Sequence, residues 1–63
     1  MKWHNTAFKF KDIAEQTKKE MDEAGIKTDF FRTGDDDYWY VGWCPIGEAQ
    51  YRKALKIITQ HID

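Results

Sequence analysis

The sequence predicts a small α+β fold in which two helices pack on a small antiparallel sheet. Apolar residues at helical spacing occur in two stretches, two short runs rich in β-forming residues lie between them, and a turn-rich segment separates those runs. The element order is therefore α-β-β-α, or β-α-β-β-α if the N-terminal segment adds a strand. Sixty-three residues predict one domain, 1–63, that is too small for a large core with a deep pocket.

The N-terminal segment, residues 3–10, does not predict a single structure. It fits a strand, an extended arm or the approach to the first helix, because its alternation of polar and apolar residues is weak. In a strand, two sets of side chains would lie on opposite faces: Trp3, Asn5 and Ala7 on one, and His4, Thr6, Phe8 and Phe10 on the other.

A first helix is predicted over residues 11–24. Gly25 follows it at the position where a helix end favours a left-handed residue. The stripe predicted to face the core has three-and-four spacing and consists of Phe10, Ile13, Ala14, Thr17, Met21 and Ala24.

Residues 27–32 and 38–43 predict two strands of a hairpin, joined by the turn-forming residues 33–37. A strand with one solvated face normally carries polar residues there, but both faces of the second strand are aromatic. We expect one face to pack against the helices and the other to be available for binding. The first face holds Trp39, Val41 and Trp43, and the second holds Tyr38 and Tyr40.

A second helix is predicted over residues 47–61. Pro45 ends the preceding strand, since proline has no amide hydrogen for the sheet, and it suits the approach to a helix. The predicted core stripe is Tyr51, Ala54, Leu55, Ile58 and Ile62, with Ile57 at its edge.

Charge and cysteine content restrict the class of protein. Ten basic and eleven acidic residues give a net charge of −1, which argues against a protein that coats duplex nucleic acid. The single cysteine, Cys44, cannot form an internal disulfide, so we expect a reducing compartment, most simply the cytoplasm. No apolar run resembles a signal peptide or approaches the roughly 20 residues that span a bilayer, so no membrane association is expected.

No pattern in the chain indicates catalysis, a cofactor or a metal. There is no glycine-rich phosphate loop and no recognisable set of nucleophile and base. His4 and His61 lie near opposite ends of the chain and, with one cysteine, do not make a zinc site. We read Cys44 as a small buried residue at a strand end, and we expect a protein that is not an enzyme.

The hairpin is the strongest candidate for a binding site. Tyrosine supplies a large rigid contact area with one polar atom, and an acidic turn attracts a basic partner. We expect a protein-interaction module that acts as an inhibitor or adaptor, of the size typical of phage or mobile-element accessory proteins. Ten aromatic side chains exceed what so small an interior can cover, which also favours a homodimer. The candidate partner-binding residues are Phe31, Asp35, Asp36, Asp37, Tyr38 and Tyr40.

Two alternatives stay open. A single-stranded nucleic acid or RNA could bind the second helix through Arg52, Lys53 and Lys56, with hairpin aromatics stacking on bases. The other is a purely structural dimer whose own interface uses all the exposed aromatic side chains.

Overall fold

A computed structural model describes residues 2–61 and confirms the α+β fold with the longer of the two predicted orders, β-α-β-β-α. Neither helix within those residues is long and apolar enough to cross a lipid bilayer. The elements are β1 (His4–Phe8), α1 (Lys11–Glu23), β2 (Lys27–Phe31), β3 (Trp39–Cys44) and α2 (Gly47–His61).

The sheet is antiparallel throughout, and β3 is its central strand, in the order β1-β3-β2. Val41 of β3 lies opposite Thr6 of β1 and Phe30 of β2, so these three side chains form one row across the sheet. Because side chains alternate along each strand, this register places every strand residue on one of two faces.

The face that carries this row, here called the inner face, is covered by the helices. The strand residues of the hydrophobic core all belong to it, as the sequence predicted for Trp39, Val41 and Trp43. The polar atom of the Trp43 indole has a hydrogen-bond partner on this face, since Nε1–H donates to Thr6 Oγ1 at 3.0 Å. The buried core consists of Phe8, Ala14, Met21, Ile26, Val41, Trp43, Ala54, Ile57 and Ile58.

Helix α1 lies on the sheet and buries Ala14, Thr17 and Met21. The predicted inclusion of Phe10 in its stripe is wrong, because that side chain is 58% exposed. Phe10 caps the helix with extended backbone angles, φ −114° and ψ 135°, so its side chain does not continue the helical stripe. Gly25 takes the predicted left-handed conformation after the helix, with φ 81°.

Helix α2 packs against α1 through a face that only partly matches the predicted one, which included Ala54 and Ile58. Ala54, Ile57 and Ile58 are buried, whereas Tyr51 and Leu55 are 38% and 40% exposed. The sequence prediction placed Ile57 at the edge of the stripe, but in the structure its side chain is buried and belongs to the core. Ile62, also predicted in this stripe, lies outside the described residues.

Candidate partner-binding surface

The second face of the sheet, here called the outer face, brings together aromatic side chains from strands that are distant in sequence. Phe31 of β2 lies directly opposite Tyr40 of β3. Their rings stack with centroids 5.4 Å apart and planes 10° apart. The stack leaves both residues half-buried, while Tyr38, just before β3, is 45% exposed.

Gly42 of β3 leaves room for neighbouring side chains on this face, among them Trp3. A Cβ atom built on Gly42 would lie 3.5 Å from Phe31 Cε1 and 3.6 Å from Trp3 Cε3. It would also lie 3.2 Å from Asn5 Oδ1. Gly42 is buried although it has no side chain, because these neighbours extend over it. We call Trp3, Phe31, Tyr38 and Tyr40 the outer aromatic surface.

An acidic turn lies next to the outer aromatic surface, and Asp36 of this turn forms hydrogen bonds to Tyr38 and Tyr40. One carboxylate oxygen, Asp36 Oδ1, accepts the Tyr38 amide N–H at 2.9 Å. The other, Oδ2, accepts the Tyr40 hydroxyl at 2.5 Å. Asp35 and Asp37 on either side are exposed, and we call Asp35, Asp36 and Asp37 the acidic tip.

The same contacts shift two pKa values in opposite directions. The Tyr40 hydroxyl bond, followed by the Tyr38 amide and the nearby charge of Arg32, lowers the pKa of Asp36. The bond to Asp36 in turn raises the pKa of Tyr40, with burial and the neighbouring acidic groups adding to the effect. Asp36 therefore stays ionised and Tyr40 neutral near pH 7. Because both carboxylate oxygens of Asp36 already accept hydrogen bonds from Tyr38 and Tyr40, the charges that a partner can pair with are those of Asp35 and Asp37.

Two basic residues contact the hairpin from the other side of the sheet. The Arg32 guanidinium lies over the Trp39 ring, 4.3 Å from its centroid, and Lys11 Nζ lies 5.3 Å from the same centroid. Trp39 belongs to the inner face, so these cations do not cover the outer aromatic surface. The one lysine that alternation places on the outer face of the strands, Lys27, is at the end farthest from the acidic tip.

The basic residues of the nucleic-acid alternative are interspersed with carboxylates. Arg52 Nη2 lies 2.8 Å from Glu48 Oε1 in an ion pair one turn along α2. Lys53 and Lys56 line a groove of about 300 Å³ between the helices, which Glu20 and Glu23 also line. The three basic side chains therefore do not form a continuous positive stripe.

Cys44 is buried at the end of β3, as predicted for a small residue at a strand end. Within residues 2–61, no group of three or more His, Cys, Asp or Glu side chains could hold a metal ion.

Trp3 is the member of this site that sequence reasoning missed. The alternation of residues 3–10 had placed it on one face of a possible strand, and a glycine in the middle of an aromatic strand often marks a close approach of another group. Joining the two observations requires knowing that β1 pairs with β3, which no local pattern in the sequence states.

Comparison of the chain with models of known protein families, with curated proteins and with solved structures gives no significant match.

Proposed function

We propose that this protein is a non-catalytic interaction module of the cytoplasm that binds a basic segment of another protein, as an inhibitor or adaptor. The observation that supports the proposal is an uncovered sheet face on which Tyr38 is 45% exposed beside the acidic tip and Trp3 is 46% exposed toward the opposite end of β3. Large exposed aromatic side chains on one side of a small domain are the usual anchors of a protein interface.

The aromatic rings alone would not give tight binding. About 100 Å² of each exposed ring is available, if a whole side chain offers roughly 200 Å². Covering both rings at about 25 cal/mol/Å² contributes roughly 5 kcal/mol. Association costs about 4–15 kcal/mol in lost freedom, so other contacts must add to the rings. The acidic tip supplies them by attracting and orienting a cationic partner.

Arginine is the cation that suits both parts of this surface. Its planar guanidinium stacks on aromatic rings and pairs with carboxylates, whereas a lysine ammonium is a more strongly hydrated point charge. The chain itself contains the stacking half of this contact, Arg32 over Trp39, on the inner face. A partner arginine would stack on Tyr38 and pair with Asp35 or Asp37.

Titration with defined peptides tests the proposal. A short peptide alternating arginine and leucine is added to isotopically labelled protein, and amide shifts are followed by NMR. We expect shifts on the outer aromatic surface and acidic tip, and weaker binding of the matched lysine peptide. Tyr38→Ala should raise Kd at least tenfold, whereas Phe10→Ala, which also removes an exposed ring, should leave Kd unchanged.

A variant without the two exposed charges distinguishes the contribution of the acidic tip from that of the aromatic rings. Asp35→Asn with Asp37→Asn should weaken binding and remove most of its salt dependence while the fold is kept. Equal effects of Tyr38→Ala and Phe10→Ala would contradict the proposal. Binding of single-stranded RNA that weakens steeply with salt and disappears in Lys53→Glu with Lys56→Glu would replace it with the nucleic-acid alternative.

A further inference from the structure

The edge of the sheet formed by β1 has the features of a strand that pairs with another strand. β1 is an edge strand because only β3 pairs with it among the described residues. Its five residues, His4–Phe8, include no Lys, Arg, Asp or Glu. The opposite edge strand, β2, carries Lys27 and Asp29, and charged residues are a common protection against edge pairing.

Apolar side chains border this edge on both faces of the sheet. On the helix side, Tyr51 and Leu55 lie one turn apart on α2 and are 38% and 40% exposed. The Tyr51 ring centroid is 5.5 Å from that of His4, so Tyr51 lies beside β1, and Leu55 follows one turn further along the helix. On the outer face, exposed Trp3 adjoins the same strand. A partner that extends the sheet at β1 would therefore cover apolar surface above and below it.

We propose that this partner is a second copy of the chain, with the two β1 strands paired antiparallel about a two-fold axis at Thr6. Such pairing makes one continuous sheet across two copies and brings their α2 helices together, so that each copy covers Tyr51 and Leu55 of the other. The same surface then serves both partners, as two-fold symmetry requires. This dimer shares Trp3 with the outer aromatic surface, but it does not rest on the proposed binding function, because Tyr38 and the acidic tip lie outside the pairing.

The residues of β1 fit this register. In a pairing centred on Thr6, His4 of one copy lies opposite Phe8 of the other, and Asn5 lies opposite Ala7. Because His4–Phe8 contains no Lys, Arg, Asp or Glu, no like charges face each other across the paired strands. Lys2 and Lys9 lie outside the paired residues, on either side of the strand.

Sedimentation over a wide range of protein concentration tests for the dimer. We expect a reversible monomer–dimer equilibrium in the wild-type protein. Leu55→Glu places a charge in the seam and should raise the dimer Kd at least tenfold. Tyr38→Glu introduces the same charge at a similarly exposed side chain that lies away from β1. It should leave the dimer unchanged while abolishing peptide binding.

Disulfide trapping tests the register without relying on Leu55→Glu to fold. Residues directly opposite in antiparallel strands have Cα atoms about 4.5–5.5 Å apart, which a disulfide can bridge. Mixing Asn5→Cys with Ala7→Cys should therefore give a cross-linked dimer under mild oxidation. Each variant alone should cross-link poorly, because identical positions lie on a diagonal of about 7–8 Å.

Three results would overturn the proposal. The first is a monomer at every concentration up to the millimolar range. The second is a dimer that Tyr38→Glu dissociates and Leu55→Glu does not, which would place the interface on the outer aromatic surface. The third is a mixture of the two cysteine variants that cross-links no better than either variant alone.

Discussion

Substitution of Gly42 tests how the outer aromatic surface is built. Gly42→Ala should be tolerated. The nearest neighbour of the added Cβ is Asn5 Oδ1 at 3.2 Å, at the end of an exposed side chain that can rotate away. The two rings, at 3.5 and 3.6 Å, are at ordinary contact distance. Alanine also restricts the unfolded chain, which stabilises by about 0.4–1 kcal/mol, so this variant should match or slightly exceed the wild-type stability.

Gly42→Val should behave differently although valine favours strands. Its γ-carbons extend about 1.5 Å beyond Cβ, into the space that Phe31 and Trp3 occupy. One ring must move, and overpacking of this kind costs about 1–3 kcal/mol. Since a domain of this size has a free energy of unfolding of roughly 3–9 kcal/mol, the loss is a large fraction of the total.

Urea denaturation followed by far-UV circular dichroism measures these differences. Phe31→Ala should rescue part of the Gly42→Val loss, because it removes one of the two obstructing rings, and the double variant gives the coupling energy. A Gly42→Val protein as stable as Gly42→Ala would refute the packing of Trp3 and Phe31 over β3. Purely additive losses in the double variant would argue against Phe31 as the obstructing group.

Three further outcomes are expected. Tyr40→Phe removes the hydroxyl that lowers the pKa of Asp36 below 3.8. A carboxyl group whose pKa is lower in the folded state stabilises the protein at pH values above its unfolded-state pKa. This stabilisation is lost as the pH falls through the folded-state pKa. The variant should therefore lose less stability on acidification below about pH 4, and an unchanged Asp36 carboxyl titration by carbon NMR would contradict this. Trp43→Phe should lower the free energy of unfolding by about 1–3 kcal/mol, because it leaves a cavity and removes the donor to Thr6; thermal melts of this variant and Trp43→Ala, which should lose more, check it. Thr17→Val should change stability by less than about 1 kcal/mol in urea unfolding, because the carbonyl that accepts the Thr17 hydroxyl is one turn back in the same helix. A larger loss in Thr17→Val than in Thr17→Ser would show that the hydroxyl matters more than the packing.

Local periodicity determined most of the elements. The predicted helices over 11–24 and 47–61 agree with α1 and α2, and the division of β3 into two faces is confirmed. These features depend on residues within one or two turns, or on alternation along one strand, so neighbouring positions are enough to define them.

Tertiary structure decided what these elements contact. The strand order β1-β3-β2 converted an ambiguous N-terminal segment into an edge strand and brought Trp3 and Phe31 to Gly42 from opposite sides of β3. The packing of α2 against α1 buried Ile57 and left Leu55 exposed, because an amphipathic pattern defines an apolar arc on a helix but not which part of the arc a neighbour covers. The pairing of β1 with β3 and the helix crossing join residues far apart in the chain, and no local pattern encodes them.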